Sequence, residues 1–353
     1  MAPRTLRPDS RALLALLAAL VALGPLSIDM YLPAMPTMMA AFDTDIGAIH
    51  LTMSAYLTGF ALFHLVCGPL ADRFGRRPIL LAGTVLFVAA CIGCSQSTTV
   101  EEMLAFRFLQ GIGACVGPTL ARTVTRDIFG PTRAARALSL IAMLMALAPA
   151  IAPGIGGVML LVLPWNSIFY FLAIYGALML VLIQLFLAES LPQRQSLHPA
   201  SIARNFGQLL LDPVYLCATV ASGLMYSGLM AYLASSSFVY IDMLGMPVQY
   251  FGLVFLTTVI GYIAGSAVSA RLSLRHDSGW VMLVGAAMGF AATVLMAAGH
   301  ITWPHSVVAL ALPTALFSTA LGLVLPHAMA VALEHYPQMA GTASSLLGFI
   351  QMS

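Results

Sequence analysis

Apolar stretches long enough to cross a membrane recur along this 353-residue chain and constrain its fold more than any other feature. A bilayer-spanning helix needs about 20 predominantly apolar residues. The chain is 60% hydrophobic and only 8% charged, whereas soluble domains are about 25% charged. These values exclude a soluble enzyme, a nucleic-acid-binding domain and a disordered chain. They predict an all-α polytopic membrane protein embedded in a lipid bilayer.

Hydropathy predicts ten complete spanning helices and the beginning of an eleventh. The ten lie at about 12–33, 50–71, 78–95, 101–122, 135–160, 167–188, 214–236, 250–270, 279–299 and 306–331. The eleventh begins at Gly341 and has only 13 residues before the sequence stops at Ser353. At about 1.5 Å per residue it would fall short of a hydrocarbon core of about 30 Å. We therefore expect a truncated or incomplete chain.

The basic residues predict the orientation of the chain in the membrane. The sequence has no lysine, and all 15 basic residues are arginines. All but one lie at the N-terminus or in alternate loops: Arg4, Arg7, Arg11, Arg73, Arg76, Arg77, Arg122, Arg126, Arg133, Arg136, Arg194, Arg204, Arg271 and Arg275. Because positively charged loops stay in the cytoplasm, we expect a multi-pass protein of the cytoplasmic (inner) membrane with a cytoplasmic N-terminus.

The longest internal loop divides the chain into two halves. We expect an N-terminal six-helix bundle at 1–188, a cytoplasmic inter-bundle loop at 189–213, and a C-terminal bundle at 214–353 with helices 7–10 and the start of helix 11. A weak internal repeat agrees, because the loops that follow helices 2 and 8 share the two arginine positions of Arg73/Arg77 and Arg271/Arg275. Parallel repeats of this kind occur in secondary transporters.

The remaining arginine, Arg107, lies inside predicted helix 4. An intramembrane arginine costs at least about 2.5–3.5 kcal/mol unless it is paired or hydrated, so it marks a candidate functional site. Asp29 is the only acid well inside an apolar stretch of the first half, and antiparallel helices 1 and 4 bring both residues to a similar depth. We therefore expect Asp29 to be the partner of Arg107, and Gln110 to lie one turn further on the same face. The alternative is that each side chain reaches the membrane interface without a functional role.

Other residues inside the predicted helices are weaker candidates. Predicted helix 5 concentrates residues that kink a helix or allow close packing, namely Pro149, Pro153, Gly154, Gly156 and Gly157. Possible cavity-lining residues are Tyr31, Tyr56, His64 and Tyr226. His64 and His327 could relay protons, although packed neutral histidines are the more common case. The Cys91–Cys94 pair is interpreted as packing, because no second cysteine pair or histidine cluster indicates a metal.

Four ordered motifs resemble the major facilitator superfamily and, within it, drug–proton antiporters of the Bcr/CflA type. The stretch from Gly68 to Arg77 is similar to the loop signature between helices 2 and 3, and Arg107 to Gly113 is similar to the helix 4 motif. The Pro149–Gly157 run resembles the antiporter motif of helix 5, and Ser27–Pro36 resembles the end of helix 1. Shorter matches are Arg126–Asp127 and Glu189–Pro192.

The resemblance implies a major facilitator fold of two six-helix bundles, of which we expect the second to be incomplete. It also implies a protein that exports small drug-like molecules by alternating access. Protons would be the coupling ion, and no other cofactor, no metal and no nucleic acid is expected. Asp29, Arg107 and Gln110 would couple proton and substrate. A cytoplasmic gate motif would comprise Gly68, Asp72, Arg73, Gly75, Arg76 and Arg77. We expect a monomer that is not an enzyme.

Three departures from the family pattern keep alternatives open. Asn166 stands where the family usually has arginine, the second copy of the loop signature is degenerate, and we expect the family's twelfth helix and most of its eleventh to be missing. The alternatives are a transporter of one specific metabolite and an inactive, truncated transporter. A membrane-embedded enzyme is disfavoured because no nucleophile–base pair or metal cluster is evident.

Overall fold

The computed structural model describes residues 11–191, 199–334, 336 and 340–352, and within those ranges it leaves out the side chains of residues 11, 126, 129–150, 199–203, 333, 340 and 341. The described backbone is almost entirely helical and contains no strand. The α-helices are α1 (Arg11–Asp29), α2 (Met35–Ala41), α3 (Ile46–Phe74), α4 (Arg76–Gln96), α5 (Val100–Met159), α6 (Ser167–Phe186), α7 (Pro199–Leu211), α8 (Pro213–Ser237), α9 (Phe251–Leu272), α10 (Ser278–Thr302), α11 (Val307–Glu334) and α12 (Ala340–Met352).

Three short segments complete the described backbone. 3₁₀-helical turns occur at Leu32–Ala34 and Val248–Tyr250, and a π-helical segment, Phe238–Met243, extends α8. Helices dominate because a bilayer offers no water to the backbone, so every peptide group must be paired within its own segment.

Nine helical segments of the described chain are long and apolar enough to cross a membrane. They are Ala12–Ala41, Ile46–Phe74, Arg76–Gln96, Val100–Thr125, Ser167–Phe186, Pro213–Met243, Val248–Leu272, Ser278–Thr302 and Val307–Ala332. Each of these segments overlaps one of the predicted spanning helices. The all-α polytopic fold class is therefore confirmed.

Aspartate and threonine side chains fix where several of these helices begin. Asp45 accepts a hydrogen bond from Ala48 N (2.8 Å) at the start of α3, and Asp277 accepts one from Trp280 N (3.0 Å) at the start of α10. Thr99 caps α5 by accepting from Glu102 N (3.3 Å). These side chains satisfy amide groups that have no partner in the first turn of a helix.

The sequence analysis predicted a loop between helices 4 and 5. This prediction is wrong, because the backbone is helical throughout α5. This 60-residue helix cannot be straight. Arg107 Nη1 lies 3.2 Å from Ser27 O, and a Cβ atom at Gly156 would lie 2.6 Å from Met30 O. Both contacts meet the end of α1, yet a straight helix would place Arg107 and Gly156 about 70 Å apart. The chain therefore reverses direction within α5, as two consecutive membrane passes require.

The chain forms two compact units, Met1–Leu197 and His198–Ser353. In the first unit, α5 packs against α1, α3 and α4, and α4 also packs against α6. In the second unit, α11 packs against α8, α9 and α10, and α12 packs against α8. The boundary falls inside the segment predicted as an inter-bundle loop at 189–213. Most of the described part of that segment is helical, as α7, which the sequence analysis did not predict.

Candidate functional site

Arg107 lies two turns into α5, and its side chain is completely buried in the first unit. The guanidinium carbon is 4.3 Å from the ring centroid of Tyr31 and 4.5 Å from that of Tyr56. Nη1 donates to the carbonyl of Ser27 (3.2 Å) and to Oε1 of Gln110 (2.6 Å). The cation is therefore stabilised by two aromatic faces and two oxygen acceptors.

Gln110 connects this arginine to the neighbouring helix α4. Its side-chain nitrogen donates to Cys91 Sγ (3.1 Å), which leaves its oxygen directed at Arg107. All three side chains are buried. Cys91 therefore holds the Gln110 amide in addition to packing. No group of metal-ligating side chains that could hold an ion occurs among the residues described.

Two donors of Arg107 remain unused within the described part of the chain. Nε and Nη2 are buried and have no hydrogen-bond partner there. Buried arginine donors are normally satisfied, since an unmade hydrogen bond on a buried charged group is costly. This edge of the guanidinium can accept a carboxylate or a carbonyl oxygen from another group.

Asp29, the last residue of α1, is only 4% exposed, but it forms no ion pair with Arg107 in the described structure. The expected pairing of these two side chains is therefore absent. Similar depth in the membrane does not fix the direction in which a side chain points. Arg107 instead meets the backbone carbonyl of Ser27 and the ring of Tyr31, which lies just beyond the end of α1.

Charged side chains near the end of α3, at the start of α4, in the middle of α5 and just after α6 form a second site in the first unit, which we name the loop cluster: Asp72, Arg76, Asp127 and Glu189. Arg76 Nη1 lies 2.6 Å from Asp72 Oδ1, and Arg76 Nε lies 3.3 Å from Asp127 Oδ2. Only 9% of the Arg76 side chain is exposed, so solvent screens these pairs less than it screens surface ion pairs. The loop cluster joins the end of α3, the start of α4, the middle of α5 and the segment that follows α6.

Glu189 binds the N-terminus of α4 from the far end of α6. Its Oε1 accepts from Arg76 N (2.9 Å), and its Oε2 accepts from Arg77 N (3.2 Å). The carboxylate thus satisfies two free amide groups and lies at the positive end of the helix dipole. Gly75 makes this approach possible: its φ is 111°, and a Cβ atom there would collide with the Glu189 carboxylate.

The other predicted gate residues have different surroundings. Arg77 Nη2 donates to the carbonyl of Gln184 (2.9 Å), which ties α4 to α6. Arg73 is exposed, and its guanidinium carbon lies 5.3 Å from the Phe74 ring. A Cβ atom at Gly68 would meet nothing within 4 Å, so close packing does not explain that glycine.

The proline- and glycine-rich part of α5 packs against the end of α1 at Gly156. A side chain there would strike Met30 O and also Pro33 Cγ, at 3.1 Å. Pro153 and Gly157 are buried and Gly154 is half-buried. A Cβ atom at Gly154 would meet no neighbour within 4 Å. The side chain of Pro149, like that of Arg126, lies outside the described residues.

The four predicted cavity-lining residues do not form one group. Tyr31 and Tyr56 hold Arg107, as described above. His64 is half-buried beside Phe60, with ring centroids 6.2 Å apart, and its Nδ1 has no partner in the described structure. Tyr226 is half-buried on α8 of the second unit. His327 is buried on α11, and its Nδ1 lies 3.1 Å from Ser278 Oγ.

The sequence analysis missed what Glu189, Cys91 and the two tyrosines do. The only sequence signal for Glu189 was its place in a short family-like motif. A glycine directly before the paired arginines of α4 was a second signal, because close approach of a partner often requires glycine. Nothing in the sequence indicated that Tyr31 and Tyr56 flank Arg107.

Comparison with known proteins agrees with this architecture. Residues 17–353 match the family model described as the Major Facilitator Superfamily. An uncharacterized MFS-type transporter, YdgK of Bacillus subtilis, is 33% identical over 97% of this chain and 86% of its own length. A bicyclomycin resistance protein homolog of Haemophilus influenzae is 30% identical over 96% of this chain and 85% of its own length.

A solved structure shares the fold at low sequence identity. The crystal structure of a mutant of the nucleoside transporter NupG superposes with a TM-score of 0.78 over 96% of this chain and 87% of that one, at 14% identity. Because the family model and the relatives cover nearly the whole chain, this multi-pass membrane protein is a transporter, not an enzyme, and belongs to the major facilitator superfamily.

Proposed function

We propose that the chain exports small apolar or amphipathic drug-like molecules in exchange for protons. It would lie in the cytoplasmic membrane as a monomer, with its N-terminus in the cytoplasm. Three observations support the proposal: the helix 1, 4 and 5 motifs, the arginine distribution, and a relative whose name refers to resistance to bicyclomycin. The choice of the proton as the coupling ion rests on one observation, the burial of Asp29.

Asp29 is the only buried acid among the residues that the structure describes. It lies in the same unit as Arg107, whose unused Nε and Nη2 donors can take an acceptor. A carboxyl group in such a place can carry one proton, or lose it and bind a cation or hydrogen-bond donor. Antiport requires this alternation, because proton and substrate must not occupy the carrier together. Arg107 and Gln110 would respond to the change of charge.

One carboxyl group supplies enough energy for useful export. A proton that crosses 100 mV releases about 2.3 kcal/mol, and one pH unit adds about 1.4 kcal/mol. The sum, about 3.7 kcal/mol, holds a neutral solute at a gradient of roughly 500-fold. A second buried acid is therefore not required for one-proton exchange.

We assign the loop cluster and its neighbours, Gly68 and Arg73, to the gate that controls access from one side. The support is that Arg76 holds two acids at once and that Glu189 fixes the start of α4. A gate of this kind has two discrete arrangements of ion pairs rather than a continuous range. The Pro153–Gly157 segment of α5 would bend at the end of α1 during the same cycle.

The test is Asp29→Asn in inverted vesicles, with Asp43→Asn as the matched control. Asp43 is an exposed acid beyond the end of α2. We expect the Asp29 variant to lose drug uptake driven by a pH gradient and the control to retain it. Because asparagine cannot carry the proton, undiminished pH-driven uptake by the Asp29 variant would contradict the assignment.

A further inference from the structure

Four hydroxyl-bearing side chains converge in the second unit, and we name them the hydroxyl cluster: Tyr232, Tyr240, Thr258 and Thr314. The Tyr232 hydroxyl donates to that of Tyr240 (3.3 Å), and the side chains of Thr258 and Thr314 lie beside it. They come from α8, its π-helical extension, α9 and α11. Elements that are separate in sequence therefore direct hydroxyl groups to one place.

The hydrogen bonding of this cluster is incomplete within the described residues. Thr258 Oγ1 is buried and bonds to no carbonyl of its own helix, unlike Thr314 Oγ1, which donates to the carbonyl of Leu310 (2.8 Å). Threonine in a helix commonly satisfies its hydroxyl in this way, on a carbonyl of the preceding turn. Ser237 and Ser318 are also buried without partners, next to the cluster in sequence. Such unsatisfied groups call for an explanation.

The backbone at this place is unusual as well. The segment Phe238–Met243, which carries Tyr240, is π-helical. π-Helical turns are rare and occur frequently at functional sites. Tyr240 is completely buried and packs against Phe251, with ring centroids 6.5 Å apart. The irregular turn thus carries a tyrosine whose side chain lies in the interior of the unit.

Among its described residues the second unit buries no acid and no arginine, and its one buried titratable base is His327, thirteen residues from Thr314 along α11. Asp242, within the π-helical segment, is exposed, and so is Arg271 at the end of α9. An ionic group of a ligand would find no buried counter-charge here, and burial of an unpaired charge is unfavourable. Hydroxyl groups can both donate and accept hydrogen bonds. The chemistry of the cluster fits uncharged polar groups.

We propose that the hydroxyl cluster binds the uncharged hydroxyl, carbonyl or amide groups of the transported solute. This inference rests on the proposed export function and specifies its substrate class: neutral molecules with several hydrogen-bonding groups are preferred. Of the four cluster residues only Tyr232 is partly exposed, so it is the member that a solute would meet first. Thr258 supplies a buried hydroxyl beside that of Tyr232.

The experiment compares two export substrates in vesicles that contain the full chain. Chloramphenicol is uncharged and bears two hydroxyls and an amide, whereas tetraphenylphosphonium has no hydrogen-bonding group. The variants are Thr258→Val and Tyr232→Phe, which remove a hydroxyl with little change of shape. The matched control is Thr257→Val on the same helix, because the Thr257 hydroxyl is already bonded to Val254 O (2.7 Å).

We expect each cluster variant to raise the apparent KM for chloramphenicol about fivefold, the change that follows from one lost hydrogen bond. The KM for tetraphenylphosphonium and both values of the control should stay unchanged. Equal losses for both substrates would show a purely structural role and overturn the inference, as would an unchanged KM for chloramphenicol.

The same measurements separate the inference from the function on which it rests. Wild-type export of tetraphenylphosphonium without chloramphenicol would overturn the inference and leave export intact. Wild-type export of neither probe would contradict the proposed function, and the inference would fall with it.

Discussion

The two tyrosine rings around Arg107 lead to a quantitative prediction about Tyr56. The ring centroid of Tyr56 lies 4.5 Å from the guanidinium carbon, and Arg107 is completely buried. Tyr56→Phe keeps the aromatic face, whereas Tyr56→Leu removes it. The Tyr56 hydroxyl bond to Gly24 O is long, at 3.3 Å, so its loss contributes little to either variant.

The magnitude follows from the burial of the cation. Cation–π contacts are worth about 0.5–1 kcal/mol at exposed sites and about 2 kcal/mol when the cation is desolvated. Arg107 belongs to the second case, although the Tyr31 ring also contacts its guanidinium, with the ring centroid 4.3 Å from the guanidinium carbon. We therefore expect the leucine variant to be less stable than the phenylalanine variant by about 2 kcal/mol, in addition to any loss from reduced packing.

A double-mutant cycle isolates the electrostatic part. Both Tyr56 variants are measured by equilibrium unfolding in mixed micelles, once with Arg107 and once in the Arg107→Met background. Without the cation, the difference between phenylalanine and leucine should shrink by about 2 kcal/mol and leave only the packing contribution. An equal difference in both backgrounds would refute the reasoning, because the ring would then act by volume alone.

Two further substitutions test the close contacts of the first unit. Glu189→Gln should lower the free energy of unfolding by about 1 kcal/mol, because it removes the charge at the start of α4 and leaves one oxygen for two amides. The control is Glu334→Gln, which changes an exposed acid. If unfolding measurements give both variants the same stability, the prediction is wrong. Gly156→Val should destabilise the protein by about 1–3 kcal/mol, since its Cβ would meet Met30 O at 2.6 Å. Gly154→Val, where a Cβ atom meets nothing within 4 Å, should be much milder in the same assay.

Most of the fold was predictable because the bilayer imposes it. Each spanning segment must be apolar over about 20 residues, and hydropathy therefore located the helices α1, α3, α4, α6 and α8–α11. The error in α5 has a physical reason. Residues around 131–140 are polar enough to suggest a loop, but this stretch is rich in arginine, alanine and leucine, which are strong helix formers. The polar residues of this stretch indicate that it lies outside the hydrocarbon core, but they do not prevent it from being helical.

The site was less predictable, because it depends on helix rotation. The spacing of Arg107 and Gln110 placed them on one face, and they are hydrogen-bonded. Depth alone suggested Asp29 as a partner, but depth does not determine which face of α1 meets α5. The ring of Tyr31 faces Arg107 instead, with its centroid 4.3 Å from the guanidinium carbon. Glu189 was hidden for a similar reason: its contact with α4 depends on the positive φ of Gly75.

The two units bury different kinds of side chain. This difference suggests that one unit couples export to protons and the other recognises the solute. The described part of the first unit buries Asp29, Arg76 and Arg107, whereas the described part of the second buries hydroxyl groups and His327 but no acid and no arginine. A proton changes the charge of its binding group, so it acts most strongly on a neighbourhood that already contains buried charges. A neutral solute gains more from hydroxyl groups, which bind without ionic desolvation. Changes at Asp29 or Arg107 should therefore alter the pH dependence of export for every substrate. Changes at Thr258 should alter the order of substrate preference and leave the pH dependence unchanged.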